Sequence, residues 1–247
     1  MDCERTRGNE QMNNNEEFLD LFGKIEKKIN ELVGLQSFQM EKSSFSNLIS
    51  PACQVNPAIR EVTKQLNNYA LIRNILSHES RKDIISVPEQ TLNEIKKVCE
   101  LVLNPPTVYH KFKRVVYTCD VNSLLLTVLK EMKEKVYTHV PVYENKKFIG
   151  VLSEVSVVNW LTENHNTNLS KVLVGELKQF INDQFNEFFE FVGKEVNAYV
   201  VREWFHEKVK DGKRLGAVFI TEDGLPNGKL IGVITAWDLP LLRIREV

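Results

Sequence analysis

Two short stretches of this chain carry side chains of the kind that do chemistry. The first is Leu71-Ile-Arg73-Asn74-Ile-Leu-Ser-His78. An arginine fork suits charge on a phosphate, and a histidine titrates near neutrality and can take or give a proton. Asn74 can position groups by hydrogen bonds. On one straight helix Arg73 and His78 would point about 140° apart. They converge only near a helix end or with the help of a second protomer. The alternative is that both are cations capping a helix C-terminus. The second stretch is Gly232-Val-Ile-Thr235-Ala-Trp-Asp238. A strand that delivers its C-terminal end to a helix N-terminus meets free N–H groups, which favour phosphate. Thr235 adds a hydroxyl there, and Asp238 in the first turn can accept two hydrogen bonds from vicinal ribose hydroxyls. The alternative for Asp238 is a plain helix N-cap. A short basic run, His110-Lys-Phe-Lys113-Arg114, could touch phosphates or form a solvated face.

Other chemistries are excluded by pattern. His78-Glu79 does not continue to a second histidine at metalloprotease spacing, and no metal site is expected. None of the 11 glycines sits in a GxGxxG or P-loop pattern, and no GxSxG elbow is present. The four cysteines (Cys3, Cys53, Cys99, Cys119) lie far apart and read as reduced thiols of a cytoplasmic protein. The start is polar and Asn-rich, without the apolar core of a signal peptide, and no apolar run approaches the ~18 residues of a membrane span. Net charge is −1 and the pI near 6.5, so any contact with nucleic acid is local.

The elements that must position these residues fall into two textures. Residues 1–15 read as a disordered start. From Glu16, Phe18, Phe22, Ile25, Ile29 and Leu32 recur at helical spacing, and Gly34 is placed to end the helix. Asn56-Pro57 opens a second long helix, with Ile59, Val62, Leu66, Tyr69, Ile72 and Leu76 inward. Val87-Pro88 opens another, with Leu92, Ile95, Val98 and Val102 inward, and Asn104-Pro-Pro stops it. Residues 16–104 therefore read as a helical bundle of about four helices. After Pro106, β-branched runs at 114–118, 139–143, 148–152, 217–221 and 229–234 alternate with helical patterns. The fold class is α+β, an N-terminal all-α bundle followed by β-α-β-β-α repeats. The repeat is explicit. Phe148-Ile-Gly-Val-Leu-Ser-Glu-Val-Ser156 matches Leu230-Ile-Gly-Val-Ile-Thr-Ala-Trp-Asp238, 82 residues later.

This repeat resembles the CBS domain family, and a tandem pair covers about 107–247: one unit at 107–165, a helical connector at 166–190 and a second unit at 191–247. The resemblance implies a regulatory adenine nucleotide or related adenosyl ligand (AMP, ADP, ATP) and no required cofactor. It implies Asp238 on the ribose and Thr235 near phosphate. In the first copy Ser153 stands at the Thr position and Ser156 replaces the Asp. His139, just before Val-Pro-Val, corresponds to a position that meets phosphate in the family, and a surface histidine of an edge strand is its alternative.

The Arg73–His78 stretch, followed by Ile85-Ser-Val-Pro88, resembles the HEPN domain over residues 16–104. That resemblance implies metal-independent cleavage of single-stranded RNA, with no action on DNA. His78 would act on the ribose 2′-OH or the leaving oxygen, Arg73 would hold the scissile phosphate, and Asn74 would position groups. Two copies of the motif would meet across a dimer. A homodimer is also expected from apolar helical faces at Val157, Val158, Trp160 and Leu161, and at Trp237, Leu241 and Leu242. The first expectation is thus a nucleotide-gated ribonuclease. The second is a noncatalytic nucleotide sensor whose helical domain dimerises or docks a partner. No membrane association is expected.

Overall fold

The computed structural model describes residues 13–34, 44–77, 86–181 and 188–242. The chain divides into two compact units at the 105/106 boundary.

In the first unit, α1 (Asn14–Val33) buries Phe18, Phe22, Ile25 and Ile29, as the apolar period requires. Gly34 ends it in the left-handed region at φ 72°, where its N–H reaches the Asn30 and Glu31 carbonyls. The helix starts earlier than the sequence suggests. Asn13 caps it in a capping box with Glu16. Asn14 donates to the Val87 carbonyl at 3.1 Å, and Asn15 accepts from the Val87 N–H at 2.8 Å. Asn13–Asn15 are therefore part of the fold and not of a disordered start, while residues 1–12 lie outside the described set.

Helices α2 (Phe45–Val55), α3 (Thr63–Leu76) and α4 (Glu89–Leu103) complete the described part of this unit, with α1 packed mainly on α4 and α2. The helix expected from Asn56-Pro57 is split. Asn56 caps a 3-10 turn, Pro57–Val62, and the α-helix begins only at Thr63. In a 3-10 turn residues three apart share a face, and Ile59 and Val62 both enter the core.

In the second unit, two sheets have the same plan. Strands β1 (Cys119–Asp120), β2 (His139–Glu144) and β3 (Lys147–Ser153) form one sheet, with α5 (Val108–Phe112) before it and α6 (Leu125–Lys135) between β1 and β2. Strands β4 (Phe188–Gly193), β5 (Leu215–Thr221) and β6 (Leu230–Thr235) form the other, with α9 (Ala198–Lys210) between β4 and β5. In each sheet the first pair is parallel and the second antiparallel. Helix α7 (Glu154–Glu163) follows β3, and a 3-10 segment (Ala236–Leu242) follows β6. A 3-10 turn (Val174–Leu177) and α8 (Lys178–Ile181) lie between the repeats. Of the faces expected to support a dimer, Val158, Trp237 and Leu241 are exposed, whereas Val157, Trp160 and Leu242 are buried within the unit.

Two expectations are corrected here. Residues 188–190 are strand, not helical connector, because Phe188-Phe-Glu-Phe-Val lies parallel to β5 and packs Phe189 and Phe191 against Phe148 and Phe219. Residues 114–118 form no strand. The Arg114 N–H instead reaches the Ile231 carbonyl, and Lys113 bridges Gly232 on β6. This crossing leaves no room at Gly232. A Cβ there would stand 2.7 Å from the Phe112 carbonyl oxygen and 2.9 Å from Ile220 Cδ1. Gly232→Ala is expected to lower stability by about 1–3 kcal/mol, since backbone must move. Chemical denaturation checks it, and an unchanged midpoint would contradict the close approach.

Candidate functional site

The site residues of the second unit sit where a strand hands over to the next segment. At the first such junction Ser153 ends β3 and caps α7. The Ser153 N–H donates to Ser156 Oγ at 2.8 Å, and the Ser156 N–H donates to Ser153 Oγ at 3.2 Å. Both serines are buried. At the second, Thr235 ends β6. Its N–H and Oγ1 both donate to Asp238 Oδ2, at 2.8 and 3.0 Å. Ser153 with Ser156 and Thr235 with Asp238 thus make the same residue-to-residue-plus-three clasp, one repeat apart. The two differ in the return bond: the Ser156 N–H donates back to Ser153 Oγ, whereas Thr235 Oγ1 is itself turned as a donor onto the Asp238 carboxylate.

Asp238 has a further partner that the sequence does not announce. Arg114 Nη1 donates to Oδ1 at 3.1 Å and Nη2 to Oδ2 at 2.9 Å, and the same Nη2 also donates to the Val233 carbonyl. The carboxylate side chain is 13% exposed and the arginine side chain 44%. The segment after β6 is a seven-residue 3-10 stretch interrupted by Pro240, where the sequence suggested a helix. It supplies little macrodipole, so the groups present at this junction are the hydroxyl, the carboxylate and the guanidinium.

His139 opens β2 and stands opposite Ser153 in the antiparallel register. Its Nδ1 shares a hydrogen bond with Thr138 Oγ1 at 2.8 Å. His139, Ser153, Ser156 and Asn159 provide the polar lining of a cavity of about 20 Å³ whose apolar wall includes Phe180, Phe188 and Phe189. That volume admits about one water, whereas small-molecule sites occupy several hundred Å³. Thr235 and Asp238 do not line it. The structure therefore gathers the candidates into two groups, His139 with Ser153, and Thr235 with Asp238 and Arg114. Sequence reasoning missed Arg114 as an anchor, since its partner lies 124 residues away. It missed Phe188 and Phe189 because the expected helical connector runs to residue 190 and so covers the start of β4. Ser156 had a signal: it occupies the repeat position of Asp238.

In the first unit, Arg73 lies in the last turn of α3. Its Nη2 is bound to Glu26 Oε1 at 2.8 Å, and its guanidinium lies 5.2 Å from the Phe22 ring centroid. Asn74 is exposed. His78 lies outside the described residues. Nearby, burial pushes the Tyr69 hydroxyl up to about 12. Cys53, Cys99 and Cys119 are buried free thiols, and burial pushes Cys119 up to about 12. Among the described residues no three His, Cys, Asp or Glu side chains gather, and no helix is long and apolar enough to cross a membrane.

The family model of the CBS domain matches residues 112–163, which span β1 through α7. This segment is a CBS domain. Domains of the CBS family are generally regulatory and bind adenosine-containing ligands. No curated protein matches the chain. Among solved structures, the CBS domain of a bacterial CNNM/CorC family Mg2+ transporter aligns with 17% identity and a TM-score of 0.42, over 72% of this chain and 96% of that one. A conserved CBS-domain protein of unknown function from Thermoplasma acidophilum aligns with 16% identity and a TM-score of 0.41, over 56% and 68%. A CBS-domain pair solved with 5′-methylthioadenosine and S-adenosyl-L-methionine aligns with 14% identity and a TM-score of 0.38, over 56% and 95%. The CBS family model does not reach the helical unit.

Proposed function

We infer that the chain is a regulatory sensor of an adenosine-containing ligand, in which residues 191–247 act as a second CBS domain paired with the first. The observation that carries this reading is the repeated clasp, Ser153 with Ser156 and Thr235 with Asp238, at equivalent ends of two sheets of identical strand order. Asp238 would accept the ribose hydroxyls and Thr235 would lie near phosphate. His139 and Ser153 would form the weaker first-copy subsite, whose small cavity must open to admit a ligand. Homodimerisation through the exposed Val158, Trp237 and Leu241 belongs to the same reading, and a monomer by light scattering at micromolar concentration would remove it.

The helical unit is read as the output of this sensor and not as a nuclease. Arg73 is engaged with Glu26, whereas the cleavage role needs its fork on a scissile phosphate. Metal-independent cutting of single-stranded RNA in EDTA, leaving 2′,3′-cyclic phosphate ends and lost in both Arg73→Ala and His78→Ala, would reverse that choice.

The sensor is tested by a thermal-shift screen of the full chain with AMP, ADP, ATP and S-adenosylmethionine. A ligand at a hundred times its Kd stabilises by about 2.7 kcal/mol through mass action, so a binder raises Tm by several degrees. No shift at millimolar concentration of any of the four would overturn the reading.

A further inference from the structure

Asp238 does not stand as an open acceptor. Its Oδ2 takes the Thr235 N–H, the Thr235 hydroxyl and Arg114 Nη2, and its Oδ1 takes Arg114 Nη1. An ionised carboxylate offers about four lone-pair positions. A vicinal diol needs two of them, so it cannot be added while the arginine fork is in place. The two Thr235 bonds are local and hold the carboxylate in its orientation without Arg114. With Oδ2 already taken by Thr235, a diol must use both positions of Oδ1, and Arg114 Nη1 holds one of them.

We propose that Arg114 is an internal competitor for the diol at Asp238, and that it sets both the affinity and the diol selectivity of that site. The proposal rests on the reading of Asp238 as a ribose acceptor. The rest of the geometry suits displacement. The Arg114 side chain is 44% exposed, so a released guanidinium returns to water at small cost. Its backbone is held separately, by the Arg114 N–H on the Ile231 carbonyl and by the neighbouring Lys113–Gly232 bridge. The side chain can therefore leave Asp238 while the main chain stays on β6, giving up the Nη2 bond to the Val233 carbonyl as it goes. A site that is competent only part of the time binds with its affinity reduced by that fraction. Removing the fork removes this reduction for a diol and does nothing for a ligand that lacks one.

The test is calorimetric titration of the full chain with AMP and with 2′,3′-dideoxy-AMP, in the wild type, Arg114→Gln, Arg114→Lys and Asp238→Ala. Arg114→Gln is expected to tighten AMP binding by about tenfold and to leave the dideoxy nucleotide unchanged. Arg114→Lys should fall between, because an ammonium keeps the charge without the fork. Wild-type binding of AMP with no gain in Arg114→Gln, or an equal gain for both nucleotides, overturns the proposal. Should Arg114→Gln melt as an unfolded chain, Arg114→Lys with wild-type affinity overturns it equally. If no variant binds AMP, the proposal falls while the sensor reading still stands on the other three ligands; if Asp238→Ala binds AMP as well as the wild type does, the ribose reading has failed and the proposal falls with it.

Discussion

Asp238→Ala is expected to lower the stability of the second unit by about 2 kcal/mol and to weaken adenine-nucleotide binding by at least about tenfold. The stability loss has two sources. The Thr235 N–H and hydroxyl lose their acceptor, which at a cap costs about 1 kcal/mol. The Arg114 fork loses its carboxylate as well. Charge-assisted bonds contribute roughly 1.5–3 kcal/mol, but this pair must be discounted because the arginine is nearly half exposed and its donors return to water. Asp238→Asn separates the two sources. It keeps one side-chain oxygen for the Thr235 clasp and gives up the ionic fork, so it should cost about half as much. The affinity loss follows from removing a charged acceptor from two ribose hydroxyls. Tryptophan fluorescence is a suitable probe of unfolding, because Trp160, Trp204 and Trp237 all lie in this unit. Wild-type stability in Asp238→Ala would contradict the anchoring role, and wild-type affinity would contradict the ribose role.

Phe18→Ala is expected to have the larger effect on stability, about 3–5 kcal/mol on the helical unit. Phe18 is fully buried. It stacks on Phe22 at 6.5 Å and meets the Tyr69 ring edge-on at 5.8 Å, so one side chain joins α1 to α3. Truncation leaves a cavity that two helices and the buried Tyr69 cannot collapse into without shifting. For a domain whose whole stability is about 5–15 kcal/mol, that is enough to leave the unit partly unfolded near 37 °C. Urea unfolding followed by far-ultraviolet circular dichroism reads it. Phe18→Leu, which keeps most of the volume, should recover more than half of the loss. A Phe18→Ala chain with the wild-type midpoint would show that the α1–α3 packing is not what holds this unit together.

The sequence by itself determined the features whose causes lie within a few residues of one another. The alternating four- and three-residue apolar recurrence of α1 marks its buried stripe, and Gly34 marks its end because glycine takes φ 72° without strain. The 82-residue repeat located β2–β3 and β5–β6 and placed Ser153 and Thr235 at equivalent ends, since alternation and hairpin pairing are local properties.

Tertiary structure decided the rest. Residues 57–62 take the tighter 3-10 turn, a choice that Pro57 permits but does not dictate, and Ile59 and Val62 both enter the core there. Phe188–Gly193 carries no clean alternation, and it is a strand because β5 lies alongside to accept its hydrogen bonds. The run at 114–118 has strand composition, yet the β6 edge takes the Arg114 amide and the sheet receives only Cys119 and Asp120. Arg73 was legible as a cation at a helix end, but its engagement with Glu26 required α1 to pack beside α3. Above all, the fork on Asp238 comes from an arginine that no spacing rule connects to it. Local sequence sets propensity and cap chemistry, whereas the partner of a long, half-exposed side chain is fixed only when distant segments meet.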